Sequence, residues 1–419
     1  MKPFKLLMLL YLKLAARIQV KKISAQHIIG ITGSAGKSST REAIYAALKK
    51  DFNILHCAHG NSESGVPLDL LQISINDYSL SDWIRIFFLV PIVILTNWRR
   101  YDVILLELGI DSPKSPRNMD YLLSIIQPTI GIFINVSGVH GENYDYLVPS
   151  SIKGDDRVAL VQDQIALAKG KLIKSLPSQG FAIVNSDDER VLNVSSTSAD
   201  KYQVGKSADS DIQICKYEIS STSGTTFEFK ILGENTSVKL PGFVLSPNYA
   251  YTIGFAIAAG LALKINSIKI IKNLESNFRL PPSRMSILKG KQDRLIIDSS
   301  YNSSENSMTD ALVLLKTIKH TGKKIAILGD LRELGQSALI VHQRIFELAK
   351  ESADEVYTVG PNFQLINSNG FKTADELWDT IDNLIPSKSL VLVKGSQNTI
   401  FLETIVEKLL SNPDDKALI

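Results

Sequence analysis

Cysteine is almost missing from this chain. Cys57 and Cys215 are the only two in 419 residues, and no CxxC spacing occurs. That excludes a disulfide framework and a cysteine zinc site, and a reducing cytoplasm is the natural compartment. An excess of charge is missing too. Lys plus Arg number 46 against 43 Asp plus Glu, a net +3, which gives no bulk electrostatic case for nucleic acid as a partner. The apolar run Ile86 to Leu95 contains Pro91 and is too short to span a bilayer, which takes roughly 18 residues or more. Internal repeats and low-complexity tracts are absent. What remains is a 44% apolar, 21% charged composition, normal for a globular protein and long enough for two or three domains.

Two segments stand out against that background. In the first, Phe4 to Leu14 is apolar but for Lys5 and Lys13. On a helix, Lys2, Lys5, Lys13, Arg17 and Lys21 fall within an arc of about 160°, with Lys22 outside it. That is the pattern of an amphipathic helix lying in a membrane interface; the alternative is a first helix packed on the domain. A signal peptide fits less well, because Lys13 breaks the apolar stretch and no small-residue cleavage site follows. In the second, residues 83–100 form an apolar insertion flanked by Trp83 and Arg85, then Trp98, Arg99 and Arg100. Such flanks suit the headgroup level; the alternative is a buried hydrophobic hairpin.

The rest reads as strands alternating with helices. Residues 27–33, 102–108, 131–136 and 181–185 are short apolar strands, with helices over 38–50, 160–176 and 248–264 between and after them. This is an α/β arrangement with a mainly parallel sheet covered on both faces. Residues 210–240 alternate like antiparallel strands. Pro281-Pro282 marks a boundary, and the rhythm restarts with strands near 295–298, 324–330, 355–360 and 389–395. The expected organisation is an N-terminal segment 1–26, a central P-loop ATPase domain 27–280, and a C-terminal Rossmann-like, doubly wound domain 281–419.

Chemistry concentrates at strand ends. Thr32-Gly33-Ser34-Ala35-Gly36-Lys37-Ser38-Ser39 lies after a strand and before a helix. Backbone amides of such a turn, with the helix N-terminus, bind phosphate; Lys37 reaches the β- and γ-phosphates and Ser38 a Mg²⁺ ion. The strict Walker pattern wants glycine where Ile31 stands. Glu107 ends a buried strand, where a carboxylate can ligate Mg²⁺. His140 follows the carboxyl end of a parallel strand. Asp298 and Asp330 each end a strand in the second half, and Arg284 and Lys394 are cations suited to phosphate or carboxylate. Asp298, Asp330, Arg284 and Lys394, taken singly, each read equally as a plain surface charge. Lys169 alone says nothing.

The order of these landmarks is more specific than any one of them. Thr32 to Ser38, then Asn61-Ser62-Glu63-Ser64-Gly65-Val66-Pro67, Glu107-Leu108-Gly109, Asn135 to His140, Ala168-Lys169-Gly170, Asn185-Ser186-Asp187-Asp188, Asp298 to Asn302, and Leu328-Gly329-Asp330-Leu331-Arg332-Glu333-Leu334-Gly335 resemble the Mur ligase family. Within it they resemble the type that adds D-alanyl-D-alanine to a muramoyl-tripeptide. The resemblance covers roughly residues 27 to 410. It implies an ATP-dependent carboxylate–amine ligase of cell-wall peptide synthesis. Thr32 to Ser39, with Arg284, Asp298 and Asn302, would bind ATP. Ser38, Glu107, His140 and a carbamylated Lys169 would hold two Mg²⁺ ions. Asn61, Ser62, Glu63, Tyr301, Ser307 and Lys394 would meet substrate. It further implies a cytoplasmic monomer. The family's usual N-terminal UDP-binding domain has no counterpart ahead of the P-loop, and with the two apolar segments this points to an acceptor presented at the inner face of the membrane. Other amide ligases of the same fold, such as folylpolyglutamate or cyanophycin synthetases, and a membrane-associated P-loop ATPase are the competing readings.

Overall fold

The structure is a computed structural model that describes residues 3–412 except 78, 139, 221–223, 242, 281–282, 284, 302 and 396–399. Nine strands make the first sheet: β1 (His27–Thr32), β2 (Ile54–His56), β3 (Val103–Glu107), β4 (Ile130–Phe133), β5 (Phe181–Asn185), β6 (Asp200–Gly205), β7 (Ile212–Ser220), β8 (Gly224–Ile231) and β9 (Glu234–Leu240). Their order is β2-β3-β1-β4-β5-β6-β7-β8-β9. Pairing is parallel from β2 through β7, and antiparallel in β7-β8-β9.

The helices of this half are α1 (Pro3–Ile23), α2 (Lys37–Leu48), α3 (Gly65–Leu71), α4 (Leu80–Thr96), α5 (Met119–Leu123), α6 (Gly154–Lys174), α7 (Glu189–Val194), α8 (Tyr249–Ala262) and α9 (Ser267–Asn277). Alternate residues of β3 explain the layering. Val103 and Leu105 join the core under α2, α8 and α9, while Ile104 and Leu106 join the core under α1, α3 and α5. A strand buried on both faces needs a continuous apolar run, as Val103 to Leu106 supplies.

The second sheet holds β10 (Ser286–Lys289), β11 (Leu295–Ser299), β12 (Lys324–Gly329), β13 (Glu355–Val359) and β14 (Leu390–Lys394) in the order β10-β11-β14-β12-β13. Helices α10 (Glu305–Thr317), α11 (Ala338–Ser352) and α12 (Pro361–Ile366) cover one face, and α13 (Ala374–Leu384) and α14 (Glu403–Leu409) the other. It is doubly wound, with one departure: the edge strand β10 runs antiparallel to β11. No helix among the described residues is long and apolar enough to cross a membrane.

Two expectations change. Residues 83–100 are not a buried hairpin but mostly one helix, α4, with Pro91 inside it and only Asp82, Ile86 and Val90 buried. Nor does α1 set a polar face against an apolar one. Leu9, Leu12, Ala16 and Ile23 pack inward, while Leu7, Leu10 and Leu14 are exposed beside Arg17 and Lys21.

Candidate active site

In both sheets, loops converge where the strand order switches, the place where open α/β sheets bind ligands. In the first sheet β1 lies between β3 and β4, so the loops after all three meet. Gly36 caps α2 at φ +83°, a left-handed conformation that favours glycine. The Asn135 side chain clamps the turn: its Oδ1 accepts from the amides of Ser34 (3.1 Å) and Ala35 (2.9 Å), and its Nδ2 donates to the Ala35 carbonyl at 3.2 Å. Ser34 Oγ accepts from the Ser137 amide at 2.9 Å. Thr32 Oγ1 is buried, donating to the Leu108 carbonyl at 3.0 Å.

Two lysines from different helices meet at one carbonyl. Lys37 Nζ donates to Gly33 O at 2.7 Å, and Lys169 Nζ, from α6, donates to the same oxygen at 3.2 Å. Lys169 is buried, and burial, with the nearby Lys37 charge, lowers its pKa to about 7. Desolvation disfavours an ammonium, and a like charge adds to the effect.

Glu107 sits opposite Ile31 in the β1–β3 ladder, which puts its carboxylate beside the P-loop. It is buried and paired with Arg41, whose Nη1 lies 2.6 Å from Oε1. Arg41 also donates to Glu42 (2.8 Å) and to the carbonyls of Cys57 (3.4 Å) and Ala58 (3.3 Å). The neighbouring loop is drawn tight by Gly60 and Gly65; a Cβ on Gly65 would lie 2.6 Å from the Gly60 Cα. Within that loop the Asn61 carbonyl accepts from the Gly109 amide at 2.8 Å, and Ser62 Oγ from the Gly65 amide at 3.3 Å. Glu63 is buried, with Lys5 at 3.7 Å and Arg117 at 3.8 Å.

His140, itself left-handed at φ +62°, joins the two halves. Its Nε2 is 3.2 Å from Asp111, and its Nδ1 makes a short contact with Glu333 of the second half. That contact and the nearby Arg332 and Arg117 charges hold the Glu333 carboxyl below its usual range. Beside it, a cleft opens between Gly138, Arg157 and Val161 on one side and Leu334, Gln336 and Ile340 on the other. Arg344 and Asp155 bridge the same junction at 3.7 Å. A second bridge pairs Asn248 with Asp310, whose pKa burial raises to about 6.

In the second sheet, Asp298 (β11) and Lys394 (β14) end adjacent strands at its own switch point. Asp298 accepts from the Ser300 amide at 3.0 Å, and burial raises its pKa. Lys394 Nζ donates to the Ser299 carbonyl at 3.3 Å. Tyr301 is exposed nearby.

Not every residue singled out in the sequence faces open space. Ser307 forms the capping box of α10 with Ser304, its hydroxyl donating to the Ser304 carbonyl at 3.1 Å, which is a structural task. Asp330 accepts from the amides of Asn362 (2.8 Å) and Phe363 (2.9 Å), fixing the start of α12. Arg284 and Asn302 lie outside the described residues. Conversely, Arg41, Asp111 and Glu333 belong to the constellation but were not among the residues singled out. A signal existed for Arg41: it stands four residues after Lys37, on the same face of α2.

Among the described residues, no three His, Cys, Asp or Glu side chains cluster as a ready-made metal cage. That donor set still suits Mg²⁺, which binds through one or two carboxylates plus substrate phosphates. Glu107 and the half-buried Ser38 flank the amide-rich turn; because Glu107 is paired with Arg41, its carboxylate would have to exchange part of that contact for the cation. The turn, its two lysines and Glu107 thus fit a nucleotide with its metal.

The chain is similar to known proteins along most of its length. Residues 159–256 match the Mur ligase middle domain, and residues 283–397 match the Mur ligase glutamate ligase domain. The UDP-N-acetylmuramoyl-tripeptide–D-alanyl-D-alanine ligase of Escherichia coli (strain K12) is 26% identical over 92% of this chain and 77% of its own. Among solved structures, MurF from Acinetobacter baumannii superposes with a TM-score of 0.76 at 21% identity, covering 96% of this chain and 81% of that one. E. coli FolC in complex with ADP superposes less closely, at 0.60 and 17%, over 94% and 92%. With a Mur ligase domain matched on each of its two sheets and relatives aligned along nearly all its length, the chain belongs to the Mur ligase family.

Proposed function

We propose that this chain is an ATP-dependent carboxylate–amine ligase that joins D-alanyl-D-alanine to the terminal carboxylate of a muramoyl-tripeptide. The observation that carries the reading is the convergence of Lys37 and Lys169 on the Gly33 carbonyl of a P-loop clamped by Asn135. In a chain of this family, that constellation serves phosphoryl transfer. The closer superposition on MurF (0.76) than on FolC (0.60) favours the muramoyl substrate.

A carboxylate is a poor acyl donor. Its oxygen attacks the γ-phosphorus of ATP, ADP leaves, and an acyl phosphate results. The amine then attacks the carbonyl carbon, the C–O bond to phosphate breaks, and amide and phosphate are released. Lys37 neutralises charge on the transferring group, and the P-loop amides orient it. Mg²⁺, when bound, neutralises phosphate oxygens; Ser38, Glu107 and His140 are the side chains that would hold it, as two ions. Lys169, with a pKa near 7, presents a substantial neutral-amine fraction at neutral pH. Addition of that nitrogen to CO₂, with loss of a proton, gives a carbamate and turns a buried cation into an anion suited to the second Mg²⁺. Asp298 and Lys394 approach the nucleotide from the C-terminal half, and Asn61, Ser62, Glu63 and Tyr301 line the acceptor side. The cleft beside His140 admits the amine, and closure of the two halves around it excludes water. In this reading the protein acts as a monomer. The same reading places it in the cytoplasm, at the inner membrane face.

Oxygen tracing tests the acyl phosphate. With ¹⁸O in the tripeptide carboxylate, one label should appear in the released phosphate. Label retained wholly in the peptide would rule the intermediate out.

A further inference from the structure

We infer that the paired outer faces of α1 and α4 form a docking surface for an anionic lipid bilayer. The two helices run parallel, side by side. Tyr11 and Phe87 rings meet at 5.1 Å, Tyr11 Oη donates to the Phe87 carbonyl at 3.0 Å, and further along Gln19 donates to the Asn97 carbonyl at 3.2 Å. The inner side of α1 is fixed to the protein through Leu9, Leu12 and Ala16, and by Tyr121 donating to the Leu9 carbonyl at 3.1 Å.

The outer side is apolar and open. Leu7 (65% exposed), Leu10, Leu14 and Ile18 form the α1 stripe at helical spacing. Ile84, Phe88 (66%), Ile92 and Leu95 (73%) form the α4 stripe. Contiguous apolar surface on this scale marks an interaction site. Neither helix is long and apolar enough to cross a membrane, so they lie along the surface.

Charge identifies the occupant. Residues 1–41 contain no Asp or Glu, and neither do residues 83–101. Because the helices run parallel, Lys21, Lys22, Arg99 and Arg100 gather at one end of the patch, with Arg17 beside them. Trp98, 69% exposed, lies there too, under the Lys22 ammonium at 4.0 Å. An apolar face with a cationic, tryptophan-marked edge matches acyl chains below anionic headgroups. A second copy of the chain would bring like charges to the same contact.

The location is consequential. Helix α1 packs on α3, which directly follows the Asn61–Glu63 loop, and Lys5 reaches Glu63 itself at 3.7 Å. Docking would hold that loop next to the bilayer. The inference is independent of the ligase reading, because vesicle binding needs neither ATP nor peptide.

Flotation of the full chain tests it. The protein should float with phosphatidylcholine vesicles containing phosphatidylglycerol and not with phosphatidylcholine alone. Phe88→Glu with Leu95→Glu should abolish flotation. Arg99→Glu with Arg100→Glu should weaken it by on the order of tenfold or more. Thermal unfolding should match the parent in both variants, since all four side chains are exposed. In the unaltered protein, Trp emission should shift to the blue on anionic vesicles, and Trp98→Phe should remove the shift. Absence of flotation on anionic vesicles, or flotation indifferent to these changes, would overturn the inference. So would a stable dimer by light scattering that Phe88→Glu dissociates, which would assign the face to a second copy.

Discussion

The Arg41–Glu107 pair can be tested by replacing each partner. Both side chains are buried, at 2.6 Å. Arg41→Met keeps the volume of the stem and removes the charge, leaving Glu107 as a buried carboxylate without its guanidinium. Breaking a buried pair from one side costs about 3–5 kcal/mol. The bonds to the Cys57 and Ala58 carbonyls are lost as well, which keeps the expected cost at the upper end of that range. For a chain of this size the midpoint of unfolding should fall by roughly 5 °C. Glu107→Gln should cost less, because Arg41 then retains Glu42 at 2.8 Å. In the double variant, the neutral amide that replaces the Glu107 carboxylate needs no countercharge, and about 2 kcal/mol or more of the Arg41→Met loss should return. Differential scanning calorimetry of the four proteins gives the cycle. If Arg41→Met costs under about 1 kcal/mol, or if the two changes are simply additive, the pair is not the buried ionic contact described.

Two further outcomes are expected. Lys169 binds its proton less tightly folded (pKa about 7) than at its ordinary value of 10.5. The unfolded chain therefore holds more protons between those values, and stability should rise with pH across that window. In CO₂-free buffer, the parent should gain about 2 kcal/mol between pH 7 and pH 9 relative to Lys169→Met; parallel pH profiles would contradict this. Gly65→Ala drives a Cβ to 2.6 Å from the Gly60 Cα. It should raise the KM for the peptide acceptor while leaving ATP binding, read by calorimetry, nearly unchanged.

Much of this was legible in the sequence because single strands carry their own signals. The runs at 27–32, 103–107 and 181–185 are buried on both faces and read as strands without context. The turn after β1 announces itself by its glycines and Lys37. What was not legible depends on distant partners. The edge strand β10, four residues long, is defined only by pairing with β11. The fate of residues 83–100 turned on whether a second surface covered them, and α1 covers only one side. Ser307 and Asp330 sit at expected positions, yet local backbone groups claim them. His140 was found at a strand end, but its partner Glu333, far along the chain in the second half, is brought to it only by the packing of the two halves.

The most direct test of the central claim is phosphate release from ATP and Mg²⁺, with D-alanyl-D-alanine and a muramoyl-tripeptide supplied singly and together, in UDP-linked and lipid-linked form. The account predicts release only when both substrates are present, and its loss in Lys37→Ala and Lys169→Ala. Release that is the same with or without peptide and amine would contradict it, and would leave an ATPase without ligase activity.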